Sequence, residues 1–184
     1  MALQATPYKV NLNLSDVDRD VYENLRMTVA RHPSETEQRL AARVLAYGLW
    51  YHERLEFGRG LSDVDEAALW QKSLDGRIEH WIEVGQPDAE RLVWCSRRAE
   101  QVSLLVYGST RNWAPKVLDS VHTLSNLNIA VLPEQPLTAL CRRINRTMDW
   151  GLMITDDVLY VSNGEEQHEL PLEWLLGSRV SRAF

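Results

Sequence analysis

Three glutamates of this chain have the type and spacing needed for metal chemistry. Glu66 and Glu83 flank the Asp75-Gly76 dipeptide, which is preferred in two-residue hairpin turns, and in that hairpin they are diagonal neighbours about 7–8 Å apart. Carboxylates at this spacing can share one divalent ion, Mg²⁺ or Mn²⁺, which acidifies a bound water and polarises a phosphate. Glu35, at the start of a predicted helix, is the third candidate ligand. The three acids together indicate metal-dependent phosphodiester hydrolysis.

The register of the hairpin decides which side chains share the face of Glu83. With Leu74 facing Arg77 across the turn, the register predicts three cross-strand pairs: Trp70 with Trp81, Lys72 with Glu79, and Ala68 with Glu83. An aromatic pair of this kind contributes roughly 0.2–1 kcal/mol. Glu83 then has no cation opposite it, and it is either a metal ligand or a rim carboxylate that a nearby arginine holds. Glu79 is too far along the strand to share the ion, because four residues span about 13 Å.

The other candidate site residues have structural alternatives as well. Glu35 is also placed to give a favourable negative charge in the first turn of its helix and to pair with Arg39. Gln86 lies at the end of a strand, where it would orient a water or a phosphate, or would simply neighbour the cap of the next helix. Arg98 would stabilise a phosphate near the site, although it cannot act as a base because arginine does not deprotonate.

The periodicity of apolar residues predicts the elements that position these side chains. A Ser34/Glu37 capping box predicts that the first helix begins at Ser34. The predicted elements are, in order, an antiparallel pair within residues 8–29, a helix over 34–53, a strand over 55–61, the hairpin, a helix over 88–102, a strand over 103–107, a helix over 113–124, a strand over 127–132, a helix over 136–148, a hairpin turning at Asn163-Gly164, and an apolar segment over 174–176.

Composition places the chain among single soluble domains. Its 184 residues are 45% hydrophobic, which is enough for one good core and short for two. A run of about 18 apolar residues and a secretion signal are both missing, so neither a membrane span nor a membrane partner is expected. Cys95 and Cys141 stand apart without ligand spacing, which is typical of thiols in a reducing cytoplasm.

The charge of the chain limits how it would bind nucleic acid. The formal net charge is −6 at pH 7, which argues against broad binding driven by counterion release. Two local basic groups remain as candidates, Arg91, Arg97 and Arg98 in one and Arg142, Arg143 and Arg146 in the other. Each group is either a nucleic-acid contact or an ordinary solvated helix face.

The predicted order over residues 34–107 is helix, strand, strand, strand, helix, strand, which resembles the core of PD-(D/E)XK nucleases. The whole length also resembles the bacterial YaeQ family, in three segments: residues 31–36 (RHPSET), 59–61 (RGL) and 81–88 (WIEVGQPD). The resemblance implies a compact single α/β (α+β) domain with one mixed sheet, a PD-(D/E)XK-like core, and β-hairpins at both ends.

Two positions depart from the nuclease pattern. Position 85, two residues after Glu83, is Gly where such nucleases carry a Lys, and position 68 is Ala where an acid is expected. Glu66 is the candidate replacement for that acid. The sequence therefore leaves two expectations open: a divergent nuclease that uses Mg²⁺ or Mn²⁺, and an inactive relative that serves as a binding or regulatory module.

Overall fold

The computed structural model describes residues 4–59, 61 and 63–179. Its elements are β1 (Thr6–Asp16), β2 (Val21–Arg31), α1 (Glu37–Leu49), β3 (Leu55–Phe57), β4 (Leu69–Lys72), β5 (Ile78–Val84), α2 (Ala89–Ser96), β6 (Ala99–Val106), α3 (Ala114–Val121), β7 (Leu127–Val131), α4 (Glu134–Cys141), β8 (Thr147–Thr155), β9 (Val158–Ser162), β10 (Gln167–Pro171) and β11 (Glu173–Leu176). The α+β class is thus confirmed, and so is the order of elements from α1 to β6. None of the helices in these residues is long and apolar enough to cross a membrane.

The strands form two sheets, whereas one mixed sheet was expected. The five-stranded sheet has the order β10-β9-β8-β1-β2, so the predicted N-terminal and C-terminal pairs meet in it. Its centre is the parallel pairing of β1 with β8. The six-stranded sheet has the order β11-β7-β6-β5-β4-β3, with β5, β6 and β7 parallel to one another. This second sheet carries the predicted site.

Helix α1 lies between the two sheets and joins them into one core. It is buried on nearly all sides from Leu40 to Leu49, which is the pattern of a helix covered all round. A Cβ at Gly48 would come within 2.5 Å of the Leu152 side chain on β8. Because glycine has no side chain, α1 can approach β8 closely at this position. Helices α2 and α3 cover the opposite face of the six-stranded sheet with a separate apolar cluster around Trp81, Leu92 and Cys95.

Several predicted boundaries are wrong for local reasons. Helix α1 begins after Thr36, whose hydroxyl accepts a hydrogen bond from the Arg39 amide, while the Ser34 hydroxyl bonds to His32 instead. Helix α2 ends at Ser96, because residues 99–102, predicted as helix, form the first half of β6. Helix α4 ends at Cys141, because the chain then turns to start β8 at Thr147.

The β4–β5 hairpin confirms the predicted pair of Trp70 with Trp81 and corrects the predicted pair of Lys72 with Glu79. Trp70 lies opposite Trp81, with the rings edge to face at 5.7 Å between centroids. Only Gly76 of the turn dipeptide has positive φ, at +88°, and Ser73 bonds to Arg77 around a three-residue loop. A loop one residue longer than predicted shifts the pairing by one position near the turn.

A bulge then restores the predicted register. Gln71 pairs with His80 whereas Lys72 pairs with Ile78, so Glu79 is the extra residue of the bulge. Glu79 consequently does not pair with Lys72, and its carboxylate instead accepts hydrogen bonds from Arg54 at 2.8 Å and from Gln71 at 2.7 Å. The Lys72 ammonium lies over the Trp70 ring.

Candidate functional site

Glu83 lies on β5 with its side chain 13% exposed, on the face that α2 covers. Its Oε1 accepts a hydrogen bond from the Trp81 indole Nε1 at 2.6 Å and a second from Arg91 Nη2 at 3.0 Å. The carboxylate therefore has a cation and a neutral donor of its own. Of the two interpretations of its sequence position, the rim carboxylate held by an arginine is the one that these contacts match.

Arg91 is the residue that organises this site, and the sequence analysis counted it only as part of a basic group. It lies in the first turn of α2, where Asp88 caps the helix by accepting a hydrogen bond from the Arg91 amide. Its Nη2 donates to the Glu66 carbonyl at 3.1 Å as well as to Glu83, and its Nη1 donates to the Val64 carbonyl. Three oxygens from two parts of the chain thus converge on one guanidinium.

Two indole rings flank the same guanidinium. The Arg91 Cζ lies 5.4 Å from the centroid of the Trp81 ring and 4.9 Å from that of Trp94. Contacts of a cation with aromatic faces are favourable within about 6 Å. The side chain is therefore fixed both by its oxygen partners and by its stacking partners, and an internal cation occupies the space beside Glu83. The only sequence signal for it was the i, i+3 spacing of Asp88 and Arg91.

Glu66 lies close to this cluster but directs its carboxylate elsewhere. Its Oε2 accepts a hydrogen bond from the Arg59 amide at 2.7 Å, and its Oε1 lies 3.6 Å from the Arg59 Nε. Only the backbone carbonyl of Glu66 contacts Arg91. The Glu66 and Glu83 carboxylates were predicted to be diagonal neighbours across the hairpin. Instead, the two residues are joined through Arg91, which bonds to the Glu66 carbonyl and to the Glu83 carboxylate.

Glu35 forms a buried ion triad on the other side of the sheet. Its Oε1 accepts hydrogen bonds from Arg39 at 2.8 Å and from Arg43 at 2.7 Å, and its Oε2 accepts a second one from Arg43 at 2.7 Å. Glu35 is 3% exposed and Arg43 is 2% exposed. Burial lowers the pKa of the Arg43 guanidinium from its ordinary value, while the bond to Glu35 opposes that shift. The predicted Arg39 partner is present, and Arg43 completes the triad.

The three predicted metal ligands are therefore not brought together as carboxylates. Among residues 4–59, 61 and 63–179, no three His, Cys, Asp or Glu side chains form a group that could hold a metal ion. The Glu83 carboxylate and the Val64 and Glu66 carbonyls do converge on one point, but the Arg91 guanidinium fills it. The residues present do not fit a divalent ion while Arg91 is bound there.

Gln86 and Arg98 take structural positions. The Gln86 Nε2 donates to the carbonyls of Tyr107 at 3.0 Å and Ser109 at 2.9 Å, which ties the end of β5 to the end of β6. Arg98 lies beyond the end of α2, where its Cζ is 3.7 Å from the centroid of the Trp94 ring and its Nη1 donates to the Trp94 carbonyl. Neither residue hydrogen-bonds to Glu83.

The two departures from the nuclease pattern have physical explanations. Gly85 has a φ of +115°, a backbone conformation that lysine would adopt only with strain. Ala68 precedes the start of β4 and packs into the core shared with α1, together with Leu69 and Ile82. It is therefore not on the face of Glu83, and an acid at position 68 would point into an apolar core.

A basic and aromatic surface lies next to this cluster, and we call it the α2 surface. It consists of Ala89, Glu90, Val93, Trp94, Arg97 and Arg98 along α2 and just beyond its end, and Ser120 of α3, which together line a groove of about 410 Å³. The side chains of Glu90, Arg97 and Arg98 are exposed and Trp94 is half-buried. This surface offers to solvent an aromatic ring, two positive charges and one negative charge.

Comparison with known proteins places the chain in a family. The sequence profile described as YaeQ protein matches residues 1–172. The uncharacterised YaeQ proteins of Salmonella typhi and Escherichia coli (strain K12) are 35% and 34% identical to the chain over 174 residues, which is 94% of this chain and 96% of each relative.

Two crystal structures agree with the sequence comparison. The YaeQ protein from Pseudomonas syringae is 55% identical, with a TM-score of 0.93 over 96% of this chain and 98% of that one. The YaeQ protein from Xanthomonas axonopodis pv. citri is 35% identical, with a TM-score of 0.91 over 95% of this chain and 99% of that one. The profile, the relatives and the structures all lead to one conclusion: this chain belongs to the YaeQ family.

Proposed function

We propose that this chain is a non-catalytic binding module whose ligand is single-stranded nucleic acid. The observation that carries the proposal is the position of the Arg91 guanidinium between Glu83 Oε1, at 3.0 Å, and the Glu66 carbonyl, at 3.1 Å. A divalent ion at Glu83 would need these same oxygens and would be repelled by the guanidinium charge. The acid that a metal-dependent hydrolase would use is already neutralised by the protein itself.

The backbone at Gly85 supports the same proposal. In the nuclease pattern, a lysine at this position would share the face of the metal-binding acid and would steady the attacking water. The φ of +115° disfavours any side chain there. This chain has neither an open acid cluster nor this lysine. It resembles the nucleases in the order of its elements but lacks the groups that would perform the hydrolysis.

The α2 surface supplies the chemistry for the ligand. Bases stack on exposed aromatic rings regardless of sequence, and arginines contact the phosphates beside them. The Arg98 guanidinium lies 3.7 Å from the half-buried Trp94 ring, so a base would stack on this arginine–indole platform. The exposed Arg97 and Arg98 provide the charges. Double-stranded nucleic acid would not offer its bases to such a surface, so the proposal is specific for single strands.

In a chain whose net charge is −6, the arginines of the α2 surface set the expected salt dependence of nucleic-acid binding. The α2 surface presents the exposed Arg97 and Arg98 beside the exposed Glu90, so at most about two phosphates are neutralised. The logarithm of the binding constant should then fall with the logarithm of salt concentration with a slope of about −1.4, since each phosphate of a single strand contributes about −0.7. Broad electrostatic binding would give a far steeper slope.

The test is fluorescence anisotropy with a labelled single-stranded oligonucleotide of mixed sequence. We expect the wild type to bind and the Arg97→Ala/Arg98→Ala double variant to lose at least tenfold in affinity. Arg142→Ala/Arg146→Ala is the matched control, because it removes two exposed arginines of the other basic group and should leave affinity within twofold. Equal affinity of both double variants, or no binding by the wild type, would exclude the α2 surface as the site.

A second candidate function is metal-dependent phosphodiester hydrolysis. The observation that favours it is that the Val64 and Glu66 carbonyls and the Glu83 carboxylate converge on one side chain. These are oxygen ligands of the type that Mg²⁺ prefers, and they would be released if Arg91 moved away. Any such activity would depend on Glu83 and on Mg²⁺ or Mn²⁺.

Calorimetric titration with Mg²⁺ and Mn²⁺ separates the two candidates. The binding-module proposal expects no ion binding by the wild type, and it permits weak binding by Arg91→Ala that disappears in the Arg91→Ala/Glu83→Gln double variant. Cleavage of single-stranded DNA, double-stranded DNA and RNA is measured with and without EDTA on the same proteins. Cleavage by the wild type that EDTA and Glu83→Gln both abolish would overturn the binding-module proposal in favour of the hydrolase.

A further inference from the structure

The inner face of the six-stranded sheet, which α1 covers, carries a row of polar side chains that the predicted site does not use. Gln71 lies opposite His80, His80 beside Gln101, and Ser103 beside Asn128. Four neighbouring strands, β4 to β7, therefore each contribute an amide, an imidazole or a hydroxyl to one end of this face. The rest of the face is apolar, with Leu69, Ile82, Leu105 and Ala130 in the core.

This row forms the floor of a cavity of about 230 Å³, which we call the sheet cavity. Trp50, the C-cap residue of α1, lines it from the side, with its ring 6.1 Å from that of His80. Arg19 and Arg179 also line it. Pockets for drug-sized molecules measure about 300–1,000 Å³, so the sheet cavity suits something the size of one heterocyclic ring system.

The charges around the sheet cavity are balanced within the protein. Arg19 donates to the Asp16 carboxylate and to the carbonyls of Tyr51 and Gly48. Arg179 donates to Asp16, to Asp18 at 3.2 Å and to the Leu49 carbonyl. Neither guanidinium has an unpaired charge to offer, and none of the described lining residues is acidic. A neutral ligand fits this setting better than an ion.

Several polar groups of the lining have no partner among the described residues. Trp50 is 6% exposed, and its indole Nε1 is buried without a hydrogen-bond acceptor. The His80 Nε2 bonds to the Ser103 hydroxyl at 2.8 Å, which leaves Nδ1 without a protein partner in the described part of the chain, and the Asn128 amide is in the same situation. The Trp50 N–H is closed off from solvent, so the groups of the lining that remain for a ligand are the His80 Nδ1 and the half-buried Asn128 amide.

We propose that the sheet cavity is a binding site for a small, uncharged, planar heterocycle with amide-like edges, the chemical class of the free nucleobases. Such a ligand carries a hydrogen-bonding edge for the His80 Nδ1 and a mixed donor and acceptor edge for the Asn128 amide. The Trp50 and His80 rings stand at 80° to each other, so its flat ring would lie against one of them and meet the edge of the other. Burial keeps the His80 imidazole neutral, because it lowers its pKa to about 4, so His80 itself presents no charge to the ligand.

The site is independent of the proposed function. The sheet cavity lies on the face of the six-stranded sheet that α1 covers, whereas the α2 surface is on the other face, across Trp81 and its cluster. Binding of a free base therefore does not require binding of a strand, and either proposal can fail without the other.

The experiment uses ligand-observed saturation-transfer NMR on the full chain with adenine, hypoxanthine, cytosine, uracil and thymine, and with inorganic phosphate as an anionic comparison. We expect at least one base to bind, phosphate not to bind, and affinity to fall at least tenfold in Trp50→Phe and in Asn128→Leu. Trp50→Phe replaces the indole that lines the cavity by a smaller aromatic ring. Asn24→Leu makes the same change as Asn128→Leu at an exposed position of β2 and should leave binding unchanged.

Two results would overturn the proposal. The first is that none of the five bases binds to the wild type, in which case the cavity holds only water. The second is that a base binds equally well to Trp50→Phe and Asn128→Leu, which would place the base elsewhere. If the circular dichroism spectrum of Asn128→Leu differs from that of the wild type, base affinity is compared in Trp50→Phe and Ser103→Ala instead. The Arg97→Ala/Arg98→Ala variant should bind the base with the affinity of the wild type.

Discussion

Arg91 on α2 donates a hydrogen bond to Glu83 on β5 at 3.0 Å, and this contact links the helix to the strand beneath it. The pair is mostly shielded from water, with 24% of the Arg91 side chain and 13% of the Glu83 side chain exposed. The same guanidinium reaches the Val64 and Glu66 carbonyls. One arginine thus connects three segments that are separated in the sequence, and replacing Arg91 should loosen the packing of all three.

The first prediction concerns the charge of Glu83. Glu83→Gln keeps the shape and the acceptor for the Trp81 indole but removes the negative charge beside Arg91, so the free energy of unfolding should fall by about 1.5–3 kcal/mol. Urea denaturation measures the difference. Glu100→Gln is the control, because the Glu100 carboxylate pairs with Arg77 on an exposed surface, and its midpoint should not move measurably.

The second prediction concerns the missing lysine. Gly85→Lys should lower the free energy of unfolding by about 1–3 kcal/mol, because a φ of +115° strains any residue with a Cβ. The space itself is open, since the nearest atom to a Cβ there is a Tyr107 ring carbon at 4.0 Å. Gly151→Ala is the control, with ordinary φ and an ordinary contact at 3.7 Å. Gly85→Lys should also gain no phosphodiesterase activity; a gain would contradict the inactive assignment of this position.

The third prediction concerns the buried triad. Glu35→Ala leaves the buried Arg43 guanidinium without its counter-charge and should lower the free energy of unfolding by about 3–5 kcal/mol. Arg39→Ala removes the other partner, whose side chain is 13% exposed, but leaves Glu35 its two bonds to Arg43, so it should lower the free energy of unfolding by a smaller amount, about 1.5–3 kcal/mol. Chemical denaturation of both variants tests this order. Equal losses would mean that Arg43 adds nothing to the stabilisation that Arg39 provides.

The fourth prediction is a pH dependence that arises from His80. Burial first, and the Arg19 charge second, lower its pKa from 6.5 to about 4. Above pH 6.5 neither the folded nor the unfolded state carries this proton, so His80 adds no pH dependence. Between pH 6.5 and pH 4 the unfolded state binds a proton that the folded state does not, so stability falls by about 3 kcal/mol over that window.

The comparison of His80→Gln with the wild type isolates this term. Both proteins are unfolded with urea at pH 7.0, 6.0, 5.0 and 4.5, and the loss of stability towards acid should be smaller in the variant. His122→Gln serves as the control because His122 is exposed on α3. Parallel stability curves for the wild type and His80→Gln would mean that His80 is protonated in the folded state.

The fifth prediction concerns the two thiols. Burial raises the pKa of both Cys95 and Cys141 to about 12, so at pH 8 only about one thiol in ten thousand is the reactive thiolate. Iodoacetamide should therefore leave both cysteines unmodified in the native protein and modify both in guanidinium chloride, as mass spectrometry reports directly. Fast labelling of either cysteine in the native state would show that its surroundings open.

The hairpin illustrates how far local sequence rules reach. The rules for alternation and aromatic pairing located Trp70 opposite Trp81, because both rings pack against a face that α2 covers. The turn rule failed for the same hairpin, since the dipeptide sits in a loop that Ser73 and Arg77 close. The extra loop residue and the bulge at Glu79 compensate each other, so the distant register was right although the turn was wrong.

The predicted site depended on contacts between segments, which a single sequence does not display. Glu35 was found with one of its two arginines, because Arg39 is one turn away and the rule for such pairs is local. The role of Arg91 depends on Val64 and Glu66, which approach α2 only after the sheet has formed. The sequence analysis did not predict the sheet cavity. Its polar residues are single positions on four strands, and they form a row only when the strands pair in this register.

The parallel pairing of β1 with β8 has a consequence for the synthesis of this protein. Lys9 lies opposite Thr147 and Asp16 opposite Ile154, so the centre of the five-stranded sheet joins strands that are 138 residues apart in the sequence. On the ribosome, β1 and β2 can form their hairpin early, but the other edge of β1 stays open until β8 has emerged. Contacts of such long sequence separation slow folding, and an open strand edge is prone to pair with other chains meanwhile. The period most exposed to misassembly is therefore the interval between the synthesis of β1 and that of β8.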